Sequence, residues 1–286
     1  MNILLAGATG YLGTYITDRL QSQLFNYKVI VRNPDTLIKK GIDPTRIIKA
    51  ELTNPTTLEN CCEEIDAVIS TVGITRQKEG LTYMDVDYQA NLNLLNEALK
   101  SGVKKFIYVS VLNGKRLRHL KICDAKERFV EKLEESGIEY CVIRPNGFFS
   151  DLSDFYNMAK KGKVYLFGDG EFKSNPIHGK DLAEFCLKAI GRSEKELEVG
   201  GPQTVTHNEM AEMAFEVVGN TPKIIHIPNC VRWLILKTVR LLTCSKVYGP
   251  IEFFMTVMAM DMIAPEYGKH TLKQHFEHLQ NESEKR

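Results

Sequence analysis

The first thirteen residues, MNILLAGATGYLG, constrain the fold more than any other segment. An apolar run, Ile3-Leu4-Leu5-Ala6, meets Gly7-Ala8-Thr9-Gly10-Tyr11-Leu12-Gly13, and a helical pattern follows at once. A buried strand that ends in a tight glycine turn and opens a helix is the arrangement that holds the pyrophosphate of a dinucleotide. Gly7 permits the sharp turn, Gly10 lets backbone N–H groups reach the phosphates, and Gly13 lets the helix lie close on its strand. Orphan N–H donors and the positive end of the helix dipole then face the anion, with Thr9, Tyr11 and Leu12 completing the loop.

At 286 residues the chain is long enough for one large domain or a domain with a lobe. A net charge of +1 argues against nucleic acid as a main partner. Cysteines 61, 62, 123, 141, 186, 230 and 244 lack metal-ligand spacing, so no metal site is expected and free thiols in a reducing compartment are. No signal peptide is recognisable ahead of the first strand, and the expected location is cytoplasmic. The longest apolar stretches are residues 231–242 and 253–260; Arg232, Lys237, Arg240 and Lys246 interrupt the first, so neither spans a bilayer. The favoured reading is a helix packing one apolar face onto its lobe, with a basic amphipathic helix on a membrane surface as the alternative.

Short β-rich runs at 3–6, 28–31, 46–49, 67–71, 106–110 and 140–144 alternate with helical stretches at 11–24, 55–62, 88–100 and 125–135. That rhythm predicts an α/β, doubly wound parallel sheet with helices on both faces. Runs such as AVIST and FIYVS are apolar on both faces, as a buried parallel sheet requires. Beyond Arg144 the rhythm breaks into a loop with a short strand at 162–170, an extended piece at 176–178, a helix at 181–190 and a returning strand at 197–200. Thr206 and Glu209 make a capping box for a helix to Val218, and the last seventy residues read as helical. The expected organisation is a dinucleotide-binding domain over 1–150, rejoined by 176–201, with a smaller, mainly helical lobe in 151–286. A cleft at the carboxyl ends of the strands would hold a small-molecule substrate. The sequence carries no signal for oligomeric state.

The end of the second strand bears on which dinucleotide is held. An NAD site places a carboxylate about 20 residues past the glycines. Here Lys28-Val29-Ile30-Val31 ends in Arg32, a guanidinium suited to the 2′-phosphate of NADP(H), which is therefore favoured over NAD. Asp35 stands close enough to keep NAD in question. Glu51-Leu52 is placed to flank the adenine, and Thr71-Val72-Gly73 to pass beneath the ribose.

GATGYLG, AVISTVG, FIYVSV, RPNGFF, PIHGKDLA and GGPQTVTHNEMAEMAF, in this order, resemble the short-chain dehydrogenase/reductase superfamily in its extended and atypical branches. The final helices look like the lobe of NmrA-like members. The resemblance implies a Rossmann-type domain and a Ser, Tyr and Lys at the reaction centre, the Tyr standing four residues before the Lys. Ser110 occupies the Ser place and Lys126 the Lys place, where the Lys would hold the nicotinamide ribose. The Tyr place holds Ile122, and the family's supporting Asn is replaced by Asp87.

Three readings stay open. Another group supplies the proton, the candidates being Tyr83, Tyr88, Tyr108, Cys123 and His119. Alternatively, hydride goes to an activated C=C bond and water supplies the proton. In the third, the chain binds NADP(H) without turning it over, as a regulator, sensor or assembly factor. Pro145, Asn146 and Phe148, after the sixth strand, are placed to touch the nicotinamide or substrate. His178 and His207 read as packing and helix-cap residues; Trp233 and Met255, Met258, Met260 and Met262 read as helix core.

Overall fold

The computed structural model describes residues 1–23, 25–75, 77 and 80–284. Two compact units divide the chain: residues 1–144 with 182–197, and residues 145–181 with 198–286.

In the first unit, β1 (Asn2–Ala6), α1 (Tyr11–Ser22), β2 (Asn26–Val31), the short α2 (Asp35–Ile38), β3 (Ile47–Lys49) and β4 (Ala67–Ser70) alternate. They are followed by α3 (Asn91–Lys100), β5 (Lys105–Val109), α4 (Lys121–Glu135) and β6 (Glu139–Pro145). Later in the chain come α5 (Ser153–Lys160), β7 (Val164–Phe167), β8 (Lys173–Ser174), α6 (Gly179–Lys188) and β9 (Glu196–Val199). The last elements are β10 (Val205–Thr206), α7 (His207–Val218), β11 (Ile224–Ile227), α8 (Asn229–Leu242), α9 (Ser245–Val257) and α10 (Leu272–Glu284).

The main sheet has seven strands in the order β3-β2-β1-β4-β5-β6-β9. Hydrogen bonds from Val142 N to Lys195 O and from Asn146 N to Val199 O advance together, so β9 joins in parallel. The α/β, Rossmann-type doubly wound class expected from the alternation is the one observed. Chain order reverses between β1 and β4, and Ala6 lies opposite both Ile30 and Ser70. That register puts the residues after β1, β2 and β4 side by side at the carboxyl edge, the position where open α/β sheets bind ligands. Both faces of β4 and β5 are buried, which is why their sequences run apolar without alternation.

Local hydrogen bonding moves several boundaries. Residues 55–62 were expected to be helical, yet only a 3₁₀ turn forms at Pro55–Leu58, because Asn60 (φ 64°) and Glu64 (φ 61°) turn left-handed. The helix expected from Tyr88 begins earlier, as a π-helical segment at Met84–Ala90 that widens where Asp87 turns inward. Helix α4 begins at Lys121 rather than 125, which takes Ile122 and Cys123 into its first turn.

The second unit has its own core, built from Phe149, Phe155, Tyr156, Phe215 and Phe276 among others. Its α7 begins on the expected capping box, Thr206 with Glu209, and ends at Gly219 with φ 76°. The expectation of seventy closing helical residues needs correction. Residues 224–227, a β-branched run between Pro222 and Pro228, pair in parallel with β7. Residues 262–267 run extended, bonded to Lys173, Asn175 and Gly200. Helix α8 buries none of its residues, and Trp233 is exposed rather than core. Met255, Met258 and Met260 are half-buried and Met262 is buried.

Candidate functional site

Gly7 follows β1 with φ 88°, and a Cβ there would stand 2.4 Å from Thr71 Oγ1. Gly10 N donates to Gly7 O (3.0 Å), closing the turn. A Cβ on Gly13 would lie 2.0 Å from Gly7 O, so only glycine lets α1 sit this close to β1. No side chain caps α1 and no acidic residue occupies its first turn, so its N-terminal dipole end is not neutralised by a carboxylate. Thr9, Tyr11 and Leu12 belong to this loop and first turn, with the Tyr11 ring edge-on to Tyr15. The cradle fits a pyrophosphate by this geometry.

Arg32 immediately follows β2, and its Nε lies 3.8 Å from Glu51 Oε2; Arg32 is exposed and Glu51 half-buried. Leu52 gives its carbonyl to Asn93 Nδ2 at 2.9 Å and packs against the core. Thr71 bonds back to Ala6 O through its N (3.0 Å) and its hydroxyl (3.1 Å), which ties the ends of β1 and β4 together.

Beyond Thr71 the backbone is held by two residues from the next helical stretch. Asn91 accepts from Ser70 Oγ (2.5 Å) and donates to Val72 O (3.2 Å), Val86 O and Asp87 O. Asp87 Oδ2 accepts from Ile74 N (3.3 Å), while its Oδ1 meets Lys126 Nζ at 2.8 Å. A Cβ on Gly73 would fall 2.6 Å from that Oδ1 and 2.7 Å from that Nζ. Thr71-Val72-Gly73 therefore passes directly against the Asp87–Lys126 pair. Asp87 is fully buried; burial pushes its carboxyl up, against the opposing pull of Lys126. Burial alone would lower the Lys126 ammonium, but the adjacent Asp87 outweighs it and holds the ammonium protonated.

Ser110 follows β5, and its hydroxyl donates to Glu127 Oε1 at 3.4 Å. Glu127 is itself gripped by Arg144, whose two terminal nitrogens donate to its two oxygens at 2.6 and 3.0 Å. Arg144 Nε also reaches Glu196 (3.3 Å), and Lys115 closes the network at 2.5 Å. Ser110 is thus anchored to a buried ion network one residue past Lys126.

Ile122 is buried one helical turn before Lys126, so the residue in the Tyr place carries no proton to give. The other candidates differ in surroundings. Tyr83 donates to Thr75 O (2.8 Å), and burial pushes its phenol up to about 12. Tyr108 is fully buried with its ring 4.6 Å from Phe129, and burial raises its hydroxyl as well. Burial likewise pushes the Cys123 thiol up to about 12. His119 is exposed and Tyr88 half-buried against the core.

In the second unit, the Asn146 amide donates to Asn175 Oδ1 (2.8 Å) and Met262 O (2.5 Å), and its oxygen accepts from Gly147 N (2.8 Å). Its side chain is thereby occupied as a clasp for three chain segments. Pro145 ends β6 and Phe148 bridges to Ile177. His178 stacks on His270 (4.6 Å), itself paired with Asp181 (2.8 Å), and burial first of all pushes His178 down to about 4. His207 opens α7 and is buried. Among the described residues no cluster of His, Cys, Asp and Glu could hold a metal.

Residues 7–193 match the NAD(P)H-binding family, more than half of the chain. The chain belongs to that family. The match agrees with the dinucleotide-binding fold that its motifs implied. The divinyl chlorophyllide a 8-vinyl-reductase, chloroplastic, of Zea mays is 27% identical over 316 residues, 97% of this chain and 79% of the relative. The photosystem II assembly factor Ycf39 of Guillardia theta is 27% identical over 80% of this chain and 74% of its own length. The solved NADPH-dependent quinone oxidoreductase of Escherichia coli, complexed with NADPH, shares the fold at TM-score 0.70 and 20% identity, covering 98% of this chain and 100% of that one.

Proposed function

We propose that this chain is an NADP(H)-dependent reductase that adds hydride to an activated C=C bond of a small, apolar, conjugated molecule. The observation that carries this reading is Ile122, buried in the turn before Lys126 where a carbonyl reductase needs a phenol. Reduction of an isolated carbonyl leaves an alkoxide that must be protonated at once by a positioned acid. A conjugated alkene instead delocalises the incoming electron pair, and water can then deliver the proton to the second carbon. When bound, the cofactor supplies the hydride from its nicotinamide C4 and leaves oxidised. The maize relative, named for the reduction of an 8-vinyl group, supports a C=C acceptor.

In this reading Gly7, Thr9, Gly10, Tyr11, Leu12 and Gly13 hold the pyrophosphate, Glu51 and Leu52 flank the adenine, and Thr71-Val72-Gly73 passes under the ribose that Lys126 holds. Arg32 selects the 2′-phosphate: its exposed guanidinium stands 3.8 Å from Glu51, whose Oε1 also accepts from Thr53, and a doubly charged anion is the stronger partner. Arg32→Ala is expected to weaken NADPH binding by about 10- to 100-fold, leaving NADH nearly unchanged. Equal loss for both dinucleotides in fluorescence titration would refute the assignment.

The competing reading, a non-catalytic NADP(H)-binding assembly factor, draws on the same Ile122 and on the Guillardia theta relative. An assay of NADPH consumption against conjugated alkenes, quinones and simple ketones separates the two. Turnover is expected with conjugated alkenes and not with simple ketones. Tight NADPH binding with no turnover on any compound would decide for the assembly factor.

A further inference from the structure

Helices α8 and α9 present an apolar surface that no described residue covers. Trp233 is 65% exposed, Leu234 63%, Leu241 81% and Leu242 74%, with Val231, Val247 and Phe254 adding to them. Trp233, Leu234, Lys237 and Leu241 are spaced so that they share one side of α8. A patch of this composition is rare on a surface that faces only water.

Its charge is as one-sided as its hydropathy. Residues 229–251 contain Arg232, Lys237, Arg240 and Lys246 and no Asp or Glu. Arg232 turns inward to Met255 O (3.3 Å), while Arg240 is exposed and lies 3.4 Å from Glu252. The Lys237 ammonium stands 5.9 Å over the Trp233 ring, at the border between the apolar side chains and the basic ones.

We propose that this α8–α9 surface lies on a lipid bilayer carrying anionic headgroups. A second copy of the same surface would set these cations against one another, whereas phosphate headgroups complement them. Helix α8 has 14 residues. At about 1.5 Å per residue it is shorter than the roughly 30 Å hydrocarbon layer. No helix among the described residues is long and apolar enough to cross a membrane. The helix therefore lies in the plane of the interface, with leucines toward the acyl chains, Trp233 at headgroup depth and the basic side chains against phosphate. This proposal does not depend on the reductase reading.

Trp233 is the only tryptophan in the sequence, so tryptophan emission, excited selectively over that of the tyrosines, reports on this surface. The full chain would be mixed with vesicles of phosphatidylcholine, with or without phosphatidylglycerol, and separated by flotation. The expected result is flotation with the anionic vesicles, a shift of Trp233 emission to shorter wavelength, and release by high salt. Lys237→Glu should lower partitioning by about tenfold or more, and Leu241→Glu should abolish it; both positions are exposed, so the fold is retained. The proposal is overturned by absence of flotation, by equal binding to both vesicle types, or by binding that Leu241→Glu leaves intact. A dimer in sedimentation velocity that Leu241→Glu dissolves would also overturn it, since a second copy would then cover the surface.

Discussion

Lys126→Ala is expected to destabilise the protein by about 3–5 kcal/mol and to remove NADPH binding. The ammonium is the ionic partner of Asp87, whose side chain has no exposure to solvent, so truncation leaves a carboxylate buried without its cation. The orphaned carboxyl escapes that penalty by taking a proton. Its folded pKa is already raised by burial and climbs further without Lys126, so the folded variant binds a proton that the unfolded chain gives up above about pH 3.9. The deficit is therefore smallest near pH 4 and grows as pH rises. Urea midpoints at pH 4.5 and 7.5 measure it; equal losses at the two would contradict the buried-pair account. A double variant, Asp87→Leu with Lys126→Met, removes both charges and should recover most of the stability. It should not recover NADPH binding, because the proposed ribose ligand is still missing. Restored binding in the double variant would show that Lys126 has a structural role only.

Arg144→Met should cost a similar amount, about 3–5 kcal/mol, with a different consequence at the site. Arg144 and Glu127 are each only 3% exposed at the side chain and joined by two parallel hydrogen bonds. Losing the guanidinium strands Glu127 beside Ser110 and also releases Glu196 and Lys115 toward solvent. Ser110 would remain hydrogen-bonded to a carboxylate, so NADPH affinity in the surviving folded fraction should stay within a few-fold of the parent. Thermal unfolding with and without NADPH reads both quantities in one series. A shift in melting temperature of less than two degrees would mean that the pair contributes little beyond its desolvation cost.

These two predictions rest on residues that differ in how visible they are in the amino-acid order. Gly7, Gly10 and Gly13 follow from local rules, because the turn, the helix start and the close strand–helix contact all lie within seven consecutive residues. Lys126 and Ser110 stand out only through the resemblance, in the places that the family gives its Lys and Ser. Asp87 is recognisable as an exchange for the family's Asn, but nothing local says that its carboxylate meets Lys126. Asn91 escaped sequence reasoning altogether. Its signal is a polar side chain on the apolar side of an amphipathic helix, a pattern with many causes other than bracing a loop. Asn146 shows the converse: its position after β6 suggests a ligand contact, while three chain segments consume its hydrogen-bonding groups. The shape of the segment after α7 was hidden for the same reason, since a β-branched run between prolines pairs with β7 only once that strand is beside it.

By itself, the order of residues determined the strand–helix alternation, the glycine turn at the head of α1 and the capping box of α7. Each depends on hydrogen bonds or periodicities that close within a few residues, whereas Ile122 in the Tyr place is legible only through the family resemblance. Only the tertiary structure decided that Lys126 answers to Asp87, that Ser110 joins the Glu127–Arg144 network and that α8 buries nothing. Those outcomes come from partners brought together across the fold, where burial sets the strength of a charge and neighbouring helices decide which apolar face is covered.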